Sequence, residues 1–258
     1  MDITVAVADV SNSGLTVGPL DASRLSWRVF IEVVAPRADQ PDPVLATPSD
    51  PRVTPTAHST YAVHERMLRK VGAASIHVEE DPAEAAWLMH GDGPFAEILT
   101  PGPGRKRSVF LLDELGLLRP GTLLVHMTCA DDDSLRLAAQ RGTVVVLCPQ
   151  SNVHIGGRLP DWRAVRQAGC QVALGTDSLA SCASLDVLTD VAMLARDGAD
   201  PDWLLDAAGA GGSTRLGFGP PAGWIAIGDH AATLTDPVRW VAFEGKDAPV
   251  TRLAWQAS

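Results

Sequence analysis

Seven short apolar runs, rich in β-branched residues and separated by helical stretches, constrain this chain more than any other feature. They cover residues 3–10, 27–34, 52–57, 73–78, 122–126, 143–149 and 171–177. Strands that are apolar throughout are buried on both faces, and strands alternating with helices pair in parallel. Helices are expected over residues 63–71, 82–90, 108–118, 131–140, 161–168, 184–196 and 201–208, with a short resumption at 95–99. Residues 35–51 carry too many prolines and aspartates for a long helix. From 224 to 255 the pattern changes to short strands and turns, a β-rich segment without a clear helix. With 258 residues, 46% of them apolar, the chain can bury one α/β barrel or two small domains.

Parallel α/β proteins keep their chemistry at the carboxyl ends of their strands. Four of the runs end in titratable side chains: His58, His77 (with Glu80 three residues on), His126 and Asp177. In a parallel barrel all four would meet in one mouth. Histidines and carboxylates converging there suggest a metal working with general acid–base catalysis, because a divalent ion makes water nucleophilic near neutral pH and a carboxylate can move its proton. After His77 the chain turns into a helix, with Asp81 at the cap, Pro82 at its first position and Glu84 placed to close a capping box.

Each residue alone has an ordinary reading. His77 fits a hydrogen-bonded core histidine, Glu80 a solvated loop carboxylate, Asp177 a helix cap, and His126 and His58 structural roles. Four recurrences at one structural position favour a site. His64, His90 and His154 read as surface residues, and His230 as a turn residue. His77-Val78-Glu79 matches half of a zinc-deaminase signature, but the Pro-Cys-x-x-Cys half is absent.

The net charge of −10 argues against a nucleic-acid partner. Cys129, Cys148, Cys170 and Cys182 form no Cys-x-x-Cys pair and read as reduced thiols. The sequence has neither a signal-peptide pattern at Met1 nor an apolar stretch long enough for a bilayer. A cytoplasmic protein with a small-molecule substrate is the expectation, with no nucleic-acid or membrane partner and with homo-oligomerisation left open.

Taken together, the motifs resemble the amidohydrolase superfamily, in the branch of cytosine, S-adenosylhomocysteine and aminofutalosine deaminases and the triazine chlorohydrolases. The match is carried by Thr56-Ala-His-Ser-Thr-Tyr61, His77-x-x-Glu80, Leu124-Val-His126, Cys148-Pro-Gln-Ser-Asn152 and Ala173-Leu-Gly-Thr-Asp-Ser-Leu-Ala-Ser181. The resemblance implies deamination of a heterocyclic amine, an aminated purine or pyrimidine or an aminofutalosine-like compound. It implies one divalent metal, zinc or iron. By it, His77 and Asp177 are metal ligands, Glu80 is the proton shuttle, His126 holds the substrate beside the activated water, Asp177 also acts as general base, and His58 contacts the substrate.

The implied fold is α/β: a (β/α)₈ TIM-type barrel over residues 1–222 and, over 223–258, a remnant of a small C-terminal β-sandwich. Gly223-Trp-Ile-Ala-Ile-Gly-Asp-His-Ala-Ala-Thr-Leu234 resembles part of that sandwich. Family members carry a His-x-His pair of metal ligands on the first barrel strand. None occurs here, and the chain opens at what resembles the second strand, an N-terminally truncated barrel lacking its first strand. Position 182 is cysteine where relatives tend to have asparagine. A zinc site needs three protein ligands or more. Two are expected from this chain, His77 and Asp177, so tight binding by these residues alone is not expected. The alternative to an enzyme is a catalytically inactive amidohydrolase-like protein, a barrel that binds a small molecule without turnover.

Overall fold

The computed structural model describes residues 6–218 apart from 12–13, 24, 46–47, 98 and 100–105, together with the strands at 240–242 and 251–253. All seven expected strands form: β1 (Ala6–Ser11), β2 (Ser26–Val33), β3 (Val53–Ala57), β4 (Ser75–Val78), β5 (Leu123–His126), β6 (Val144–Leu147) and β7 (Gln171–Leu174). β1, β2 and β3 pair in parallel in chain order, as do β4, β5, β6 and β7. The two sheets meet between β3 and β4. There the Thr56 hydroxyl donates to the Ser75 carbonyl at 2.6 Å and the His77 N–H to the His58 carbonyl at 2.9 Å. A parallel bridge between Ser59 and His77 completes the seam. All seven strands therefore present their carboxyl ends on one side.

Alternation along the strands sorts the side chains into two layers. Phe30, Val125, Val146, Cys148 and Ala173 form one buried cluster, with Ala8 against it. Their chain neighbours Val33, Leu124, Val145, Leu147, Val172 and Leu174 face the other way. They pack against Met67 and Leu68 of α2 (Glu65–Val71), Leu112 of α4 (Ser108–Glu114) and Leu135 of α5 (Asp132–Gln140). Val165 of α7 (Trp162–Gln167), Val191 of α8 (Val187–Arg196) and Leu204 of α9 (Pro201–Ala208) continue that layer. Space on the inner side is tight at Gly175, where an added Cβ would sit 3.1 Å from Val146 Cγ1.

Part of the acidic composition is structural. Asp81, Asp131, Asp161, Asp186 and Asp200 each cap a helix with a side-chain acceptor, worth about 1 kcal/mol per cap. The first of these opens α3 (Pro82–His90) as expected, but Glu84 reaches one residue beyond the cap, to the Glu80 N–H at 3.1 Å. His64 is not a surface residue: it caps α2, its imidazole accepting from the Met67 N–H, and its side chain is 8% exposed.

Three helices were not anticipated: α1 (Val17–Asp21), α6 (Pro149–Gly156) and α10 (Ala210–Arg215). Residues 94–97 form a 3-10 turn where a helical resumption was expected. β8 (Trp240–Ala242) and β9 (Thr251–Leu253) pair antiparallel, in keeping with a β-rich tail. The boundary at 222/223, residues 223–234 and His230 lie outside the described residues. Among the described residues no helix is long and apolar enough to cross a membrane.

Asp190 ties α8 to the start of α6. It is fully buried and accepts from the Gln150 N–H and the Gln150 amide, both at 2.9 Å. Burial pushes its pKa up to about 6 despite those bonds, whereas an unfolded aspartate titrates near 3.9. The folded protein thus holds this proton more tightly, so the stability it contributes is complete below about pH 4 and is lost as the pH rises towards 6. Asp190→Asn should flatten that decline. Melting curves of both proteins from about pH 4 to 7 should show the variant gaining on the parent as pH rises; parallel curves would refute this.

Candidate active site

At the carboxyl ends of the strands, β2, β3, β4 and β5 each deliver one side chain to a continuous network. Glu32 of β2 lies two residues beyond Phe30 and so shares its inner face. Its Oε1 accepts from His58 Nδ1 at 2.8 Å and from His77 Nε2 at 3.0 Å. His58 follows directly on β3, and His77 sits within β4. The other nitrogen of His77 meets Nε2 of His126 at 3.0 Å, with the two rings stacked at 5.1 Å between centroids. His126 Nε2 also lies 3.3 Å from Glu80 Oε1, and its Nδ1 accepts from the Asn152 amide at 3.1 Å.

Asp177 stands beyond β7. Its Oδ2 accepts from the hydroxyls of Ser151 at 2.6 Å and Ser181 at 2.7 Å, which leaves Oδ1 outside both bonds. Ser151 and Asn152 come from the first turn of α6, so Pro149 starts a helix whose opening turn faces the network. All five residues singled out from the sequence, His58, His77, Glu80, His126 and Asp177, belong to this group.

The donor atoms fall into two triads. Those of Glu32, His58 and His77 lie within 4.8 Å of one another, as do those of Glu80, His126 and Asp177. Imidazole nitrogens and carboxylate oxygens in threes suit zinc or another borderline divalent ion, so the donor chemistry fits a metal. Donor atoms beyond those of His77 and Asp177 lie in the same network, Glu32 among them. Glu32 was missed because a lone glutamate in an apolar run carries no motif; its phase with Phe30 was the available signal.

The backbone marks the same place. Among the described residues, the non-glycine positions with positive φ are Glu79 (51°), His126 (79°), Met127 (51°) and Asp177 (60°), all just at or beyond strand ends around the network. The left-handed region costs a residue with a Cβ about 1–2 kcal/mol, and such strain gathers at functional sites. At His126 it interrupts the alternation that would otherwise set the ring on the face of Leu124.

Burial and neighbouring charge set distinct protonation states. Burial alone would raise the Glu32 pKa, but hydrogen bonds from His58 and His77 bring it down to about 2. Burial lowers His77, yet the Glu32 carboxylate outweighs this and holds it above its ordinary value. His126 is pushed down to about 3, by burial and then by the charge of His77. Glu80 is raised to about 6, chiefly by burial. Asp177 lies below its ordinary value because the two serine hydroxyls overcome the effect of burial.

Comparison with known proteins gives a consistent result. The sequence profile of the amidohydrolase family matches residues 34–236. Aminodeoxyfutalosine deaminase of Deinococcus radiodurans is 32% identical over 233 residues, covering 76% of this chain and 56% of that protein. Among solved structures, Helicobacter pylori aminofutalosine deaminase superposes with a TM-score of 0.68 at 21% identity, covering 82% of this chain and 61% of the other. A zinc-bound adenosine deaminase from Xanthomonas campestris superposes with a TM-score of 0.55 at 24% identity, covering 75% of this chain and 48% of the other. These likenesses imply a TIM-type barrel, with which the parallel α/β arrangement described above agrees. The chain spans about half the length of the curated relatives it matches.

Proposed function

This chain belongs to the amidohydrolase family, and from that premise we propose that it carries the catalytic centre of a metal-dependent hydrolase that deaminates a heterocyclic amine of the adenosine type. The observation that carries the proposal is the single network joining Glu32, His58, His77, His126 and Glu80, with Asp177 beside it. The names of the relatives, deaminases of aminodeoxyfutalosine and adenosine, support the substrate class. On this reading the seven strands correspond to the second to eighth of a (β/α)₈ barrel and residues 223–258 to a sandwich remnant.

His77 and Asp177 would hold the ion, zinc or iron, which would supply Lewis acidity and nucleophilic water near neutral pH. Glu80 takes the proton of the attacking water and passes it to the departing nitrogen. Its pKa of about 6 lets it exchange a proton in either direction near neutrality. His126 stays neutral, and with Nδ1 accepting from Asn152 its N–H lies on Nε2, directed at Glu80 and the substrate. Asp177 stays ionised and serves as general base. His58, its side chain 29% exposed, contacts the substrate. Water and the amine yield the carbonyl compound and ammonia.

The test is ammonia release from a panel of aminated purine nucleosides, using the metal-loaded chain as it stands and the chain joined to an upstream strand bearing His-x-His. Turnover that chelation abolishes is expected; its absence from folded, metal-loaded protein overturns the proposal. The alternative reading, a barrel that binds a small molecule without turnover, predicts a nucleoside-dependent rise in melting temperature with no ammonia.

A further inference from the structure

We propose that Glu32, His58 and His77 form a zinc-type divalent-metal site complete within these residues, with two ligands the family resemblance does not assign. The proposal does not depend on the deaminase reading. Glu32 is a carboxylate on the inner face of the barrel wall with a side chain only 10% exposed. Its hydrogen-bond partners among the described residues are the two imidazoles, with no guanidinium or ammonium joining them. A buried carboxylate with no cationic side chain beside it is well matched to a dication.

The geometry is close to what an ion requires. Zinc–ligand distances of about 2.0–2.1 Å put neighbouring ligand atoms of a tetrahedral set about 3.3 Å apart. The two nitrogens already lie 2.8 and 3.0 Å from the same oxygen, so a small outward shift suffices. The three ligands stand on or directly after the adjacent strands β2, β3 and β4, which gives them a rigid frame. His77 Nδ1 rests against His126, which fixes the ring as outer partners of metal-bound histidines do. His58 is exposed enough to give the ion a path in.

The apo chain is titrated with Co²⁺, read by visible absorption, and then with competing Zn²⁺, with bound metal counted by elemental analysis. One equivalent should bind. Glu32→Gln and His58→Gln should each weaken binding by more than the roughly 10–100-fold cost of losing an outer partner. His154→Gln, exposed and outside the network, should stay within about threefold, well under that cost. Melting curves of each apo variant identify those that keep the native fold, and the part-exposed His58 position provides a second variant should Glu32→Gln unfold. Failure to bind one equivalent overturns the proposal. Loss of binding in Asp177→Asn with retention in Glu32→Gln also overturns it, placing the ion on the Asp177 side and leaving the deaminase reading intact. Because the readout is bound metal, failure of the reaction itself does not count against this site.

Discussion

Glu80→Gln should lower ammonia release by about 10²–10⁴-fold, the usual worth of a positioned general acid–base group, and should do so mainly in kcat. The amide is nearly isosteric and keeps an acceptor for His126 Nε2, which lies 3.3 Å from Glu80 in the parent. It cannot take a proton from water or return one to the leaving nitrogen. Glu80 titrates at about 6, so the parent's kcat should rise with pH through that value as the base form fills. The residual rate of the variant should lack that limb. Steady-state kinetics from about pH 5 to 8 check both points. A variant that loses only substrate affinity, or that keeps the limb, would remove Glu80 from the proton path.

The largest stability effect should come from Glu84→Ala. Glu84 is 1% exposed and accepts from the Ser108 hydroxyl, from Thr60 Oγ1 at 3.5 Å and from the Glu80 N–H at 3.1 Å. Burial raises its pKa, with those bonds opposing. Alanine removes the acceptor and leaves, around a cavity, the Glu80 N–H and one donor of the mutually bonded Thr60–Ser108 hydroxyl pair without a partner. Each orphaned group costs about 1–3 kcal/mol, and the cavity adds to it. A loss of roughly 3–5 kcal/mol follows, or about 6–20 °C in Tm for a protein of this size. Glu84→Gln retains an acceptor and should lose about 1 kcal/mol. Thermal or urea unfolding of the pair decides it; equal losses would mean that the intact carboxylate, and not side-chain volume or one retained acceptor, sets the cost.

The strands and the residues at their ends were legible because burial on both faces writes continuous apolar runs, and a titratable side chain closing such a run stands out. His58, His77, His126 and Asp177 were found in that way, and Glu80 by its position after His77. Glu32 was not, because it lies inside its strand and only its phase with Phe30 marks the inner face. α6 was read as the stop of a strand. Cys148-Pro149 supplies the cap and first position of that helix, a pattern that proline also makes in turns. His64 looked like a surface residue because an imidazole acting as a cap leaves no signature beyond its place before the helix. The left-handed backbone at His126 and Met127 is set by neighbouring strands and the network, and nothing local in the sequence encodes it.

The reaction itself gives the most direct test of the site. An aminated purine nucleoside is incubated with the metal-loaded protein in ¹⁸O-enriched water, and ammonia and product mass are measured together. The account predicts one ammonia per product and one heavy oxygen at the carbon that bore the amine, with both lost in Asp177→Asn. Product without the label, or equal turnover in Asp177→Asn, would contradict it.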